Sequence, residues 1–357
     1  MLYEISEKTL KLERQGKKII KFNIGDPDQS TPRKIIDAAY EAMKSGKTKY
    51  SFAAGEPKLR EELACIHGVS TENVVITPGS KWAIFSLMYL LLKNEGNVVI
   101  PSPYWTSYEL IAKNLGAEVR LLRTDLEANW KINVEKLEEL IDRKTKLLIL
   151  NNPNNPTSKV IDEKTLEKII QIANDKKIMI VSDEVYLNTS FVDTRSILDF
   201  SGEHILVNSF SKTFAMTGWR VGYVVVNKDL ADRLTKLHQI TLTNIPVFIQ
   251  EAALKALELR QEIANKIREN YKRRADEASK ILSESELKFA EPDAPFYFFP
   301  KHDNLDSEKF ALDLLDEGVA VVPGTAFGQY REYFRIALTI SDEEIERGLK
   351  KICEALK

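Results

Sequence analysis

The stretch SFSKTFAMTGWR, residues 209–220, places Lys212 between two hydroxyls, with Arg220 eight positions further on. A solvent-facing lysine needs no such setting, so the question is what Lys212 faces. The upstream run HILVNS reads as a buried strand, so Lys212 leaves the end of a sheet. Other reactive residues follow apolar runs in the same way. Gly79, Ser80 and Lys81 come after VVIT, Tyr104 and Trp105 after VVIPSP, Asn151 to Thr157 after LLIL, and Asp183 and Tyr186 after IMIVS. Ligands of parallel sheets sit beyond the carboxyl ends of the strands, so these groups converge on one edge. They amount to an anion-binding helix start, an aromatic plate, an amide, a carboxylate with a phenol, and an amine.

Each has a plainer reading when taken alone. Gly79-Ser80 can be an ordinary helix cap, NNPNNP a turn-rich loop, Asp183 a cap, Trp105 core filling and Lys212 a solvated surface group. Their joint order along one edge is what favours chemistry.

The elements that must position them alternate from about residue 74. NVVIT, NVVIPSP, AEVRLL, KLLILNNP, IMIVSDEVY and HILVNSF are short apolar runs separated by helical patterns such as KWAIFSLMYLLLKNEG and DEKTLEKIIQIANDKK. Continuous apolar strands between helices of ten or more residues predict a mainly parallel sheet covered on both faces, an α/β fold. GYVVV follows the lysine segment with no helical interval of normal length, which allows it to enter the sheet antiparallel. After Lys228 long polar-amphipathic helices lead to APFYFFP, VAVVPG and YFRIAL, the texture of a smaller α+β domain. No Gly/Ser linker separates the two, and a cleft between domains is a common ligand site.

Composition removes several function classes. The 53 acidic and 51 basic residues leave no global field to draw nucleic acid or anionic lipid. The apolar runs fall short of the ~20 residues of a membrane span, and the start has early acids and no apolar core of a signal peptide. Two cysteines make no disulfide framework, and His67, His204, His238 and His302 show no ligand spacing. The expectation is a soluble cytoplasmic protein without a structural metal, nucleic acid or membrane partner.

Taken in order, SFSKTFAMTGWRVGY, NNPNNPT, SDEVY and YFRIAL, with YSFAAGEPKLR and VVPGTAFG, resemble the signature segments of the pyridoxal-phosphate-dependent aminotransferases of fold type I, class I/II. The similarity runs from about Gly25 to the end and lies nearest the prokaryotic aspartate aminotransferases. It implies a large cofactor-binding domain, residues 41–260, with a mostly parallel seven-stranded sheet flanked by helices. Residues 1–40 and 261–357 would form the small domain. It also implies a homodimer with shared sites.

The same resemblance assigns roles. Lys212 would form the Schiff base with pyridoxal 5'-phosphate and shuttle the Cα proton in a ping-pong exchange between an L-amino acid and a 2-oxo acid. Asp183 would pair with the pyridine nitrogen, making the ring an electron sink. Asn155 and Tyr186 would bond the phenolic oxygen, and Trp105 would stack on the ring. Ser209, Ser211 and Arg220, with the N–H groups of Ser80 and Lys81, would hold the phosphate. Tyr50 would reach it from the neighbouring subunit. Arg335 would take the substrate α-carboxylate in a fork, and Gly25 would line the substrate side.

Three departures stand out. The asparagine loop ends in Ser158 where relatives carry glycine, which costs of order 1 kcal/mol if that position needs positive φ. DAPFYF replaces the usual glycine-alanine-phenylalanine-tyrosine, so Pro295 would stiffen the loop beside the substrate. The segment that closes over the site in relatives, and a serine assisting Lys81, would be missing at the start.

Lys81 matches a lysine that contacts the distal carboxylate of dicarboxylic substrates, which favours aspartate with 2-oxoglutarate. The alternatives for Lys81 are a second phosphate contact or a surface charge. A single flexible ammonium selects weakly, and HQITLTNIP offers no arginine from a partner, so aromatic or alanine substrates stay open. A lyase or racemase on the same fold is the runner-up among enzymes. A ligand-sensing regulator would carry a DNA-binding segment ahead of the fold.

Overall fold

The computed structural model of the chain describes residues 2–92 and 96–357. Its strands, in chain order, are β1 (Ile20–Lys21), β2 (Val74–Thr77), β3 (Asn97–Ser102), β4 (Glu118–Arg123), β5 (Thr145–Asn151) and β6 (Met179–Asp183). They continue with β7 (His204–Ser209), β8 (Gly222–Val225), β9 (Tyr297–Phe298), β10 (Val319–Ala320), β11 (Val322–Pro323) and β12 (Phe334–Ala337). Seven of these make one sheet in the order β2-β8-β7-β6-β5-β3-β4. Neighbours are parallel except that β8 runs antiparallel to both β2 and β7. The sheet is the mostly parallel α/β sheet the sequence called for. Its exception has a physical reason. Between Ser209 and Gly222 there is only a short turn of helix at Thr217–Trp219, too little for the crossover that a parallel neighbour needs.

Strand side chains alternate between the faces of a sheet, so runs apolar at every position serve two cores at once. Val74, Ile76, Leu148, Leu150 and Leu206 face one core; Val75, Leu147, Ile149, Ile205 and Val207 face the other. Burial of each such side chain is worth about 1.5–3 kcal/mol. The covering helices begin where the sequence supplies caps. Asp162 Oδ1 accepts the Thr165 N–H at 3.0 Å ahead of the helix Glu163–Lys176. Asn227 Oδ1 accepts the Leu230 N–H at 3.0 Å ahead of Lys228–Thr241. Each cap contributes about 1 kcal/mol.

A third core joins the two ends of the chain: Ile20 and Phe22 pack with Ala278, Phe298, Phe334, Ile336 and Leu349. Here β1 pairs parallel with β10, and β11, β12 and β9 form a small antiparallel sheet. Ile35 and Ala39, ahead of residue 41, already pack in the first core. The chain therefore crosses between cores in the segment from Phe22 to Ile35.

That crossing segment is tied on both sides. Asp28 accepts from Nη1 and Nη2 of Arg274 at 3.0 and 2.7 Å, and the buried Arg274 donates from Nε to Asp342 at 2.7 Å. Toward the large sheet, Thr217 donates to Asp26 at 2.7 Å and Thr31 donates to the Ala215 carbonyl at 2.6 Å. The residues before Asp26 are thereby laid against the lysine segment.

Candidate active site

The carboxyl ends of β5 and β6, the lysine segment, the helix Ser80–Leu92 and β12 line a cavity of about 260 Å³. It brings together Gly25, Ser80, Trp105, Asn155, Asp183, Tyr186, Lys212 and Arg335. A larger cavity of about 360 Å³ lies alongside and shares Tyr108 and Asn151 with it. The charges there are already matched, Lys131 to Asp162 at 3.2 Å and Lys159 to Asp293 at 2.8 Å, so it offers no reactive group.

Asp183 ends β6 with its carboxylate buried. Tyr108 donates its hydroxyl proton to Oδ2 at 2.7 Å, and the Val185 N–H approaches Oδ1 at 3.4 Å. Burial pushes its pKa up to about 6, against the pull of the Tyr108 bond, the Val185 N–H and the Lys212 charge. A cation brought against this carboxylate would favour its charged form. Lys212 is half-buried and donates from Nζ to the Gly25 carbonyl at 2.6 Å. A side chain at Gly25 would fall on the Tyr297 hydroxyl, so the glycine is what leaves room for the end of the Tyr297 ring.

The asparagine loop is fixed by its own amides. Asn151 Oδ1 accepts the Asn155 N–H at 2.7 Å, and Asn151 Nδ2 donates to the Asp183 carbonyl at 3.0 Å. Asn154 Oδ1 accepts both the Thr157 N–H and its hydroxyl, at 3.2 and 2.9 Å. Asn155 is held so that Oδ1 accepts from Arg335 Nη1 at 3.0 Å, which leaves its amide nitrogen for a ligand. Ser158 closes this loop with φ +53°, the left-handed backbone that its replacement of glycine put in question.

Arg335, on β12, is buried, with Nη2 donating to the Asn23 carbonyl at 2.9 Å and its plane 4.5 Å from the Tyr297 ring centre. Arg335 Nε and both amide atoms of Asn23 are buried without a hydrogen-bond partner. Burial pushes the guanidinium pKa down, opposed by Tyr297 and Tyr186. No carboxylate among the described residues stands within ion-pair distance. A buried cation in that state costs several kcal/mol, which an anionic ligand would recover. Tyr186 lies 3.1 Å from Tyr297, hydroxyl to hydroxyl, and burial, with Tyr297 beside it, pushes the Tyr186 phenol well above its ordinary value.

A second anion position lies at the start of the helix Ser80–Leu92, whose first N–H groups have no acceptor within the helix. Arg220, itself at φ +56°, donates to the Thr217 and Pro78 carbonyls at 2.7 and 3.3 Å. A Cβ on Gly79 would stand 2.7 Å from Arg220 Nη2, so the missing side chain is what admits the guanidinium to the helix start. Ser209 and Ser211 are buried in the same segment, the first accepting the second's N–H at 3.3 Å.

Five expected residues lie outside the cavity lining: Ser209, Ser211 and Arg220 of the lysine segment, and Lys81 and Tyr50. Lys81 is exposed, with its ammonium 4.9 Å from the Trp105 ring centre, on the wall rather than inside. Tyr50 is 87% exposed, beside residues 242–248 and away from this chain's own cavity. Sequence reasoning missed Tyr297, Asn23, Tyr108 and Ser6, all of which the cavity or its immediate bonds contain. Tyr108 and Tyr297 look like core aromatics in one dimension, and nothing local marks Asn23. Ser6 sits on the first helix, where no site serine was expected.

Comparison with known proteins agrees with this geometry. The family profile described as aminotransferase class I and II matches residues 17–352. The aspartate aminotransferase of Thermococcus kodakarensis is 36% identical, over 94% of this chain and 88% of that protein. The solved aspartate aminotransferase from Thermus thermophilus with maleate superposes with a TM-score of 0.96 at 32% identity, covering 99% of this chain and 96% of that one. An aromatic aminotransferase from Pyrococcus horikoshii gives a TM-score of 0.90 at 35% identity, covering 93% and 94%.

Proposed function

The chain belongs to the class I and II aminotransferases, and on that premise we propose that it works with pyridoxal 5'-phosphate and prefers aspartate and 2-oxoglutarate as its substrate pair. The single observation that carries this reading is Arg335, a buried cation with no carboxylate partner among the described residues, across one cavity from Lys212 and Asp183.

The residues fit the cofactor. The Gly79–Arg220 cradle suits a phosphate, the buried Asp183 a pyridinium N–H, Trp105 the ring face, and Tyr186 with the Asn155 amide a phenolic oxygen. When bound, the cofactor supplies a carbonyl that carries the amino group between substrates and a ring that draws off the electron pair of a broken bond at Cα. The chain's own residues do the rest. Arg335 keeps three of its five N–H donors after its bonds to Asn155 and Asn23, enough to hold an α-carboxylate in a fork. Lys212 Nζ, turned away from Gly25, moves the proton at Cα. Asp183 holds its charge through Tyr108.

Support for aspartate comes from Lys81, whose ammonium lies 4.9 Å from the ring centre of Trp105, a residue of the cavity wall, and would be the group to meet a distal carboxylate. Aromatic donors are a second reading, supported by the Ile24, Trp105, Tyr186 and Tyr297 walls. Half-reaction absorbance changes with aspartate, glutamate, alanine and phenylalanine test both. Equal rates for all four would refute the dicarboxylate preference, and no spectral change with any would refute the cofactor assignment.

We also infer a homodimer with shared sites. In the helix Arg33–Lys44, Ile35, Ala39 and Ala42 face inward, yet Ile36, Tyr40 and Met43 form an exposed stripe, and Tyr50 and Phe52, a few residues on in the chain, are exposed as well. Mixing Lys212→Ala with Tyr50→Ala subunits should restore activity, because one site in each hybrid has both residues. No recovery in verified hybrids would place Tyr50 outside the partner's site.

A further inference from the structure

Ser158 occupies a backbone position that disfavours it, and its hydroxyl has a use there. At φ +53° a serine costs about 1 kcal/mol more than glycine. The Ser158 Oγ accepts the Tyr297 N–H at 3.2 Å and donates to the Pro295 carbonyl at 3.3 Å. The Ser158 carbonyl accepts the Asp293 N–H at 3.0 Å. Beside it, Lys159 donates to Asp293 Oδ1 at 2.8 Å, and the Val160 N–H donates to Asp293 Oδ2 at 3.1 Å. The end of the asparagine loop is thus stitched to the run 293–297. Within that run Phe296 holds φ +90°, an outlier for a bulky residue that persists only where its surroundings over-determine it.

The stitched run delivers Tyr297 into the site. Its hydroxyl lies 3.1 Å from that of Tyr186, its ring faces the Arg335 guanidinium at 4.5 Å, and it fills the space beside Gly25. It therefore touches three groups expected to meet substrate or cofactor. The ring face offsets part of the cost of the buried guanidinium and fixes its plane. If the Tyr297 hydroxyl donates to Tyr186, the Tyr186 proton is left to point at a ligand.

We propose that Tyr297, anchored by the Ser158 hydroxyl, is a positioning residue that sets how tightly the site holds its substrate carboxylate. The inference rests on the aminotransfer assigned above to this cavity. It explains why a strained serine stands at 158: glycine would relax the backbone but release the Tyr297 N–H.

The test compares Ser158→Gly and Ser158→Ala holoenzymes with the unaltered protein. The readouts are maleate affinity by calorimetry, melting temperature, and kcat and KM for aspartate. Glycine relieves the backbone strain and alanine keeps it, while both lose the hydroxyl. Both variants should bind maleate about 3- to 10-fold more weakly, the effect of one buried hydrogen bond, with KM raised and kcat within about twofold. Ser158→Gly should melt no lower than Ser158→Ala. Tyr297→Phe, which keeps the ring over Arg335, should lose less maleate affinity than Tyr297→Leu. Unchanged maleate affinity and KM in both Ser158 variants would overturn the proposal. So would a fall in kcat alone. Unaltered protein that binds maleate but transfers no amino group would refute the proposed function, while the Ser158 comparison would still read the hold on the carboxylate.

Discussion

Replacing Arg335 with methionine should abolish efficient turnover while leaving the ligand-free protein as stable as before. The side chain is buried, carries a charge that burial disfavours, and makes two bonds to neutral acceptors, Asn155 Oδ1 and the Asn23 carbonyl. Removing it leaves those two acceptors unpaired, a cost of about 1–3 kcal/mol each. Against that, a buried and unpaired cation costs several kcal/mol to desolvate, and methionine fills most of the space. The balance lies within about 1–2 kcal/mol of zero, a shift of only a few degrees in Tm for a chain of this size. Function should respond differently. Two charge-assisted bonds to a substrate carboxylate, at about 1.5–3 kcal/mol each, correspond to a loss of roughly 10²- to 10⁴-fold in kcat/KM. Steady-state kinetics with aspartate and 2-oxoglutarate, beside thermal melts of the cofactor-free protein, measure both. A melt lowered by ten degrees or more would make Arg335 a structural group. A kcat/KM within a factor of three would remove it from substrate binding. Either result refutes the reasoning.

Other expectations follow from particular contacts. Gly79→Ala places a Cβ 2.7 Å from Arg220 Nη2 at a residue with φ +80°, so cofactor affinity should fall about tenfold or more, read by equilibrium dialysis. Unchanged affinity would take the anion away from that helix start. Lys81→Ala should lower kcat/KM for aspartate by about two- to fivefold and leave phenylalanine unaltered; an equal loss for both would make Lys81 a cofactor or structural contact. Glu184 is buried, held by the Ser182 and Ser196 hydroxyls and the Ile197 N–H, and burial raises its pKa to about 7. A carboxyl raised above its unfolded value stabilises the fold at pH 4 and loses that contribution as pH climbs through 7. Denaturant titrations should therefore show stability falling across that range, with Glu184→Gln flattening the fall. Parallel pH profiles for the two proteins would exclude this.

Much of the fold was readable in one dimension because burial on both faces of a sheet leaves a direct trace. Val74 to Ile76, Leu147 to Leu150 and Ile205 to Val207 are apolar at every position since alternate residues meet different cores. The antiparallel entry of β8 was readable for a similar reason, the shortness of the interval after Lys212. Polar residues at strand ends marked one edge, and that edge is where Asp183, Asn155 and Lys212 meet. Ser158 raised the question of positive φ correctly, but not what its hydroxyl does.

What the sequence by itself determined is the set of elements, their burial and the edge at which chemistry gathers, since periodicity and strand-end position are local properties. Only the tertiary structure decided that Lys212 meets the Gly25 carbonyl and that Asn155 meets Arg335. It alone set Lys81 on the outer wall and Tyr297 inside. Those distances come from strand register, from the crossing segment tied down by Asp26 and Asp28, and from a third core built of both chain ends. None of these is a property of any short stretch, because each is fixed by packing between residues far apart in the chain.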